Sequence, residues 1–130
     1  MQGEWVRRLR NAALVCLSLL IAGAVSAHHS ESAYDKQKQV ILSGTVKEFR
    51  WANPHCWLYV LVPDEKGQPV EWALEGGSIS VLARNGWRAK SLNVGDHVRV
   101  YVNPNRDGSP GGGFLTVTLD DGTVYTIGVI

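Results

Sequence analysis

From Val40 onward the chain alternates apolar and polar residues in short runs separated by glycine, proline and acidic turns. "VILSGTVKEFRW" sets Val40, Leu42 and Val46 on one face with Gly44 among them, which predicts a strand bent at that glycine. The alternation slips near Glu48, where Phe49 and Trp51 take the apolar positions, and a bulge accounts for the slip. "ANP" ends the strand, because proline cannot donate to a ladder. "HCWLYVLVP" is apolar on both faces, as in a strand of a closed barrel, and "DEKGQP" reads as a hairpin loop. In "VEWALE", Val70, Trp72 and Leu74 point in and Glu71, Ala73 and Glu75 point out, the two glutamates reading as solvated charges.

The period then changes. Ser78 is a helix cap, Ile79, Leu82 and Ala83 give a three-four spacing, and Gly86 is a stop, so one helix of about two turns is expected. "HVRVYV" places Val98, Val100 and Val102 inward, and "NPNRDGSPGGG" reads as a mobile loop. "FLTVTL" sets Leu115, Val117 and Leu119 against threonines, and "DDG" turns the chain into a last strand, "TVYTIGVI". Five to six short antiparallel strands with one helix after the third predict an all-β domain, a small OB-like barrel; a two-sheet β-sandwich is the alternative.

Residues 1–27 read as a secretory signal peptide. Arg7, Arg8 and Arg10 precede an apolar run from Ala12 to about Val25, and Val25-Ser26-Ala27 supplies small residues for cleavage between Ala27 and His28. The run is shorter than the roughly 20 residues of a membrane-spanning helix, so no stable membrane anchor is expected after cleavage. The mature chain, 28–130, then forms a single barrel domain behind a flexible segment, 28–39.

Composition adds three constraints. The full chain has 13 basic and 12 acidic side chains, and loss of Glu4, Arg7, Arg8 and Arg10 with the leader turns a net +1 into −1. Such a balance gives no electrostatic reason to expect nucleic acid. Cys16 leaves with the leader, so Cys56 has no disulfide partner and reads as a buried small hydrophobe.

Cleavage before His28 would free its α-amine, whose pKa near 8 lets a metal displace the proton cheaply. Amine and imidazole of one N-terminal histidine form a chelate, and a second imidazole completes a nitrogen site that suits copper. His55, after Asn53-Pro54, and the adjacent His29 are the candidate second ligands; His97, in a turn, is a third. A metal-free alternative uses an aromatic and loop face, with Trp51, Trp57, Tyr59 and Tyr101 stacking on a sugar, a peptide or another apolar ligand. Glu71 and Glu75, four apart on a strand, are too distant for a cooperating carboxylate pair, and "GSPGGG" lacks the lysine and spacing of a phosphate loop.

The mature start "AHHS", the strand "LSGTVKEFRWANPHCWLYV" and the segments "VEWALEGGS", "LARNGW", "SLNVGDHVRV" and "DGSPGGGFLTVTLDDG" together resemble a family of small secreted bacterial proteins catalogued only as a domain of unknown function. The resemblance spans essentially the whole mature chain. It implies a secreted, periplasmic protein and no particular activity. It also implies an aliphatic residue where this chain has Cys56, which argues against a thiol mechanism. The expectation is therefore a periplasmic module that binds rather than catalyses: copper through a processed N-terminal histidine, or a ligand or protein partner on the aromatic face, with copper oxygenase chemistry a more distant alternative.

Overall fold

Six strands and one helix follow one another in a computed structural model that describes residues 33–128. They are β1 (Val40–Arg50), β2 (Trp57–Pro63), β3 (Pro69–Glu75), α1 (Ile79–Arg84), β4 (His97–Pro104), β5 (Gly111–Leu119) and β6 (Val124–Thr126). The strands form one sheet in the order β3-β2-β1-β4-β5-β6, and an additional β3–β5 pairing closes the first five into a barrel. A single closed sheet replaces the sandwich alternative, and the small OB-like barrel with one short helix is what the strand pattern predicts.

One feature of the expectation needs correction. The barrel is mixed and not antiparallel throughout, because β3 and β5 run parallel through Ala73↔Gly111, Leu74↔Gly112 and Glu75↔Gly113. Parity requires this: when five strands each run opposite to the last around a ring, the first and fifth point the same way. β5 leaves β3 after Gly113, and β6 takes up its edge at Thr116–Thr118.

The irregularities of β1 fall where its sequence pattern breaks. Register with β2 shifts between Val46 and Glu48, the bulge that returns Phe49 to the inner face. At Gly44 the β2 backbone approaches so closely that a Cβ would lie 2.3 Å from the carbonyl oxygen of Leu61. Only glycine lets the strand bend there.

Two expectations about β5 are revised. Gly111–Gly113 are not part of a loop: they open β5 and form the parallel seam, leaving residues 105–110 as the connection from β4. A second bulge, where Tyr101 faces Thr116 but Val102 faces Phe114, makes Leu115 the unpaired residue. The pleat is thereby reset, and Phe114, 1% exposed, enters the core in place of Leu115.

The core gathers Leu42, Val46, Leu58, Val60, Leu74, Val98, Val100, Val102 and Val117 from inside the barrel, with Leu82 of α1 and Trp87 beyond it. Each such side chain contributes about 1.5–3 kcal/mol of transfer free energy. Ser78 caps α1, accepting from the Val81 amide, and Gly86 ends it at φ +86°. Trp87, fully buried, meets the rings of Phe49, Phe114 and Tyr125 at 5.7, 5.6 and 4.9 Å, and its Nε1 donates to the Thr126 carbonyl at 2.7 Å. It ties α1, β1, β5 and β6 together. Trp87→Ala should cost about 3–5 kcal/mol, read as a lower urea midpoint at unchanged slope.

Candidate functional site

A buried carboxylate marks the outer surface of the β3–β5 seam. Glu75 ends β3 and points outward in the pleat, as its alternation with Leu74 predicts, yet it is only 8% exposed. The expectation of a solvated charge is overturned because two side chains cover it. Tyr34 donates its hydroxyl hydrogen to Oε2 of Glu75, and His55 sets Nδ1 against Oε1. Both carboxylate oxygens are thus engaged, which is what an ionised group removed from water requires.

Each partner is positioned by backbone. His55 follows the cis Asn53–Pro54 bond and lies beside the β2–β3 ladder, which Cys56 extends through its amide to Gly77 and its carbonyl to Gly76, 2.9 and 2.8 Å. Asn53 secures the loop from the other side: its Oδ1 accepts from the Ile79 amide at 3.1 Å, at the start of α1. Tyr34 belongs to a short strap along the end of β4. It forms an antiparallel bridge with Asn105, flanked by the Asp35 amide on the Pro104 carbonyl and the Arg106 amide on the Ala33 carbonyl, each 2.9 Å. Its ring lies on Gly113, where a Cβ would stand 3.2 Å from Cδ2. The third glycine of the seam is the floor on which the tyrosine rests.

The electrostatics follow from this packing. Burial first, and then the hydrogen bond and negative charge of Glu75, push the Tyr34 hydroxyl well above the ordinary tyrosine range. Tyr34 therefore remains a neutral donor. His55 is less covered, its side chain 41% exposed, so the pair joins a buried acid to a half-open imidazole. A carboxylate held on Nδ1 fixes the ring orientation and makes Nε2 the nitrogen left to act as acceptor or ligand.

The other candidate residues separate. Trp57 and Tyr59 lie on the outer face of β2, opposite the buried Leu58 and Val60, with near-parallel rings 6.4 Å apart. Trp51 turns to the core instead, against Phe49 at 5.9 Å. Tyr101 faces Ile41 and Thr116 in register; β5 and β3 separate it from Trp57 one way around the barrel, and β1 the other way. His97 pairs with Thr45, about 16 Å along β1 from Arg50, the register partner of Trp57. His28, His29, Ala27 and the expected leader 1–27 lie outside the described residues. Cys56 is fully buried, and burial raises its thiol pKa, which suits a packing role and not a nucleophile. Among the described residues, no three or more histidine, cysteine, aspartate or glutamate side chains are grouped to hold a metal ion, and no helix is long and apolar enough to cross a membrane.

Sequence reasoning names His55 but not its partners. Glu75 reads as one more outward charge, and Tyr34 as part of a polar lead. The signal that could have found them is the glycine triplet, since three small residues opening a strand invite something to pack closely over them.

A family profile described as "Family of unknown function (DUF6152)" matches residues 14–114. No curated protein and no solved structure matches.

The raised Tyr34 pKa fixes the direction of an alkaline effect. The folded state favours the neutral phenol, so this stabilisation is complete below the unfolded value of about 10 and is lost as pH rises above it. In a 295 nm titration, Tyr34 should ionise last among the four tyrosines, and Tyr34→Phe should remove that late phase alone. Ionisation of all four in the ordinary range would contradict the buried pairing.

Proposed function

We propose, for a chain that belongs to the DUF6152 family and takes no assigned activity from it, that it is an exported periplasmic binding module holding one copper ion between its processed N-terminus and His55. The observation that carries this reading is the seating of His55 Nδ1 on the buried carboxylate of Glu75. Metal-binding histidines are commonly held this way, because the carboxylate fixes the tautomer and raises the basicity of the opposite nitrogen.

The strap supports the same reading. Tyr34 is docked on the carboxylate that holds His55, and only five residues lie between it and His28. Fully extended, a tether of that length reaches at most about 20 Å. The described residues group no metal-binding set of their own, and the missing nitrogens would come from the α-amine and imidazole of His28, with His29 adjacent. A ligand set of amine and imidazoles favours copper over magnesium or calcium, which prefer oxygen.

Storage or delivery fits better than oxygen activation. Tyr34, which shares Glu75 with His55, spends its hydroxyl on that carboxylate and is held neutral there. The strap thus acts as an anchor.

The test exports the chain with its own leader, confirms His28 as the first residue by intact mass, and titrates copper(II) by calorimetry with parallel electron paramagnetic resonance. One extra alanine ahead of His28, or His55→Ala, should weaken binding at least about tenfold and change the nitrogen hyperfine pattern. Glu75→Gln should cost about 10- to 100-fold while leaving the ligand atoms in place. An affinity no better than that of a generic peptide terminus, or one unmoved by the extension and by His55→Ala, overturns the proposal.

A further inference from the structure

A second feature of the same barrel face bears on a different ligand. Trp57 and Tyr59 alternate with Leu58 and Val60, so the pleat that buries the aliphatic pair turns both rings outward. The rings are inclined by only 24°. The Tyr59 ring is held by Arg50, opposite Trp57 in register, whose Nη1 donates to the Tyr59 hydroxyl at 3.1 Å while its guanidinium carbon lies 5.1 Å from the ring centre, and Trp57 stacks beside it. Arg50 is itself held by a forked pair of bonds to Glu48, at 3.0 and 3.3 Å. Two amphipathic rings are thereby held in place before any ligand arrives, which lowers the ordering cost of binding.

The charges around the rings say what kind of ligand fits. Arg50 is paired with Glu48 and Lys47 with Glu71, while Glu75 is covered by Tyr34 and His55. A polyanion would find each of these two cations already matched to a carboxylate, and single-stranded nucleic acid needs the opposite, a positively charged groove beside its stacking rings. A neutral ligand loses nothing here. It must offer a flat apolar face to the rings and hydroxyl or amide groups to the carboxylates and guanidinium at their edge. A pyranose ring has this combination.

Position in the fold agrees. OB-type barrels bind oligosaccharides and oligonucleotides on the face of strands 2 and 3, flanked by the loops joining strands 1 to 2 and 4 to 5. Here that face carries Trp57, Tyr59 and Ala73, and the flanking loops are residues 51–56 and 105–110. We infer that the outer face of β2 and β3 is a binding site for a neutral oligosaccharide, stacked on Trp57 and Tyr59 and hydrogen-bonded at its edge by Arg50 and Glu48. The site is independent of the copper reading, since neither ring is a metal ligand.

The experiment titrates the exported, full mature chain with chitohexaose and, separately, cellohexaose, in EDTA so that copper plays no part. Binding is read by tryptophan fluorescence and calorimetry, and a thymidine oligonucleotide is the anionic comparison. Saturable binding of a sugar is expected. Trp57→Ala and Tyr59→Ala should each weaken it about tenfold, equivalent to about 1.4 kcal/mol, while Tyr101→Ala leaves it unchanged. Circular dichroism checks that each variant is folded, and the two ring variants serve as alternates for each other. The inference is overturned if neither sugar saturates the protein by about 10 mM, if both folded ring variants bind as tightly as the parent, or if the oligonucleotide binds more tightly than either sugar.

Discussion

A ring of five strands in which every neighbour runs antiparallel cannot close on itself without one parallel pair, and much of this protein is arranged around that seam. Closure falls between β3 and β5, at Ala73–Glu75 and Gly111–Gly113. The seam is short, and β5 can follow β3 there only because its first residues have no side chains. At Gly111, for example, a Cβ would come within 2.9 Å of the Ala73 carbonyl oxygen on β3. The glycine triplet thus lets the barrel close completely around its largely aliphatic core. It also leaves a shallow floor on the outside, and Tyr34 fills it.

The covering of that floor turns an outward glutamate into an interior one. An ionised carboxylate deprived of water is costly unless its oxygens are met, and removal of one partner from a buried pair costs more than the pair itself contributes. Glu75 therefore makes His55 and Tyr34 mutually dependent: the loop after β1 and the strap before β1 share one acceptor. Neither is a regular element, and each is held from a second side. Asn53 fastens the loop to α1, and the bridge to Asn105 fastens the strap to β4. A site built from irregular segments gains its rigidity from these second attachments, without which a half-exposed imidazole would sample many rotamers.

The parts of the fold that were legible in the sequence are those written in period. The inward valines of β4, the bulge before Phe49, the bend at Gly44, the Ser78 cap and the Gly86 stop are local, and each carries its own chemical mark. What was illegible depends on residues far apart in the chain. Nothing near Leu115 announces a bulge, because the register there is set by Val102 and Phe114 across two strands. Glu75 is the clearest case: its direction in the pleat is a matter of alternation and was readable, but its burial depends on Tyr34, 41 residues earlier. His55 was visible as a chemical group for the same reason that its partner was not, since a histidine after a proline turn stands out and a glutamate in an alternating strand does not. The four aromatics grouped by type divide by geometry, Trp51 to the core, Tyr101 to another part of the sheet, and Trp57 with Tyr59 to one face.

The two proposed kinds of recognition would meet on that face, and the physical demands on them differ. A metal needs nitrogens brought to within about 2 Å of one point, so the proposed copper site would have to borrow from the chain terminus and be oriented through Glu75. A sugar needs flat area and a satisfied rim, which a regular strand supplies by itself through residues two apart. His55, Trp57 and Tyr59 occur at every second position, so one pleated line carries both, the imidazole at the loop end and the rings along β2. Their polar partners are matched in the same way, Glu75 lying against His55 and Glu48 against Arg50. The face therefore has no strong field of its own, and selection on it rests on ligand geometry rather than on long-range attraction.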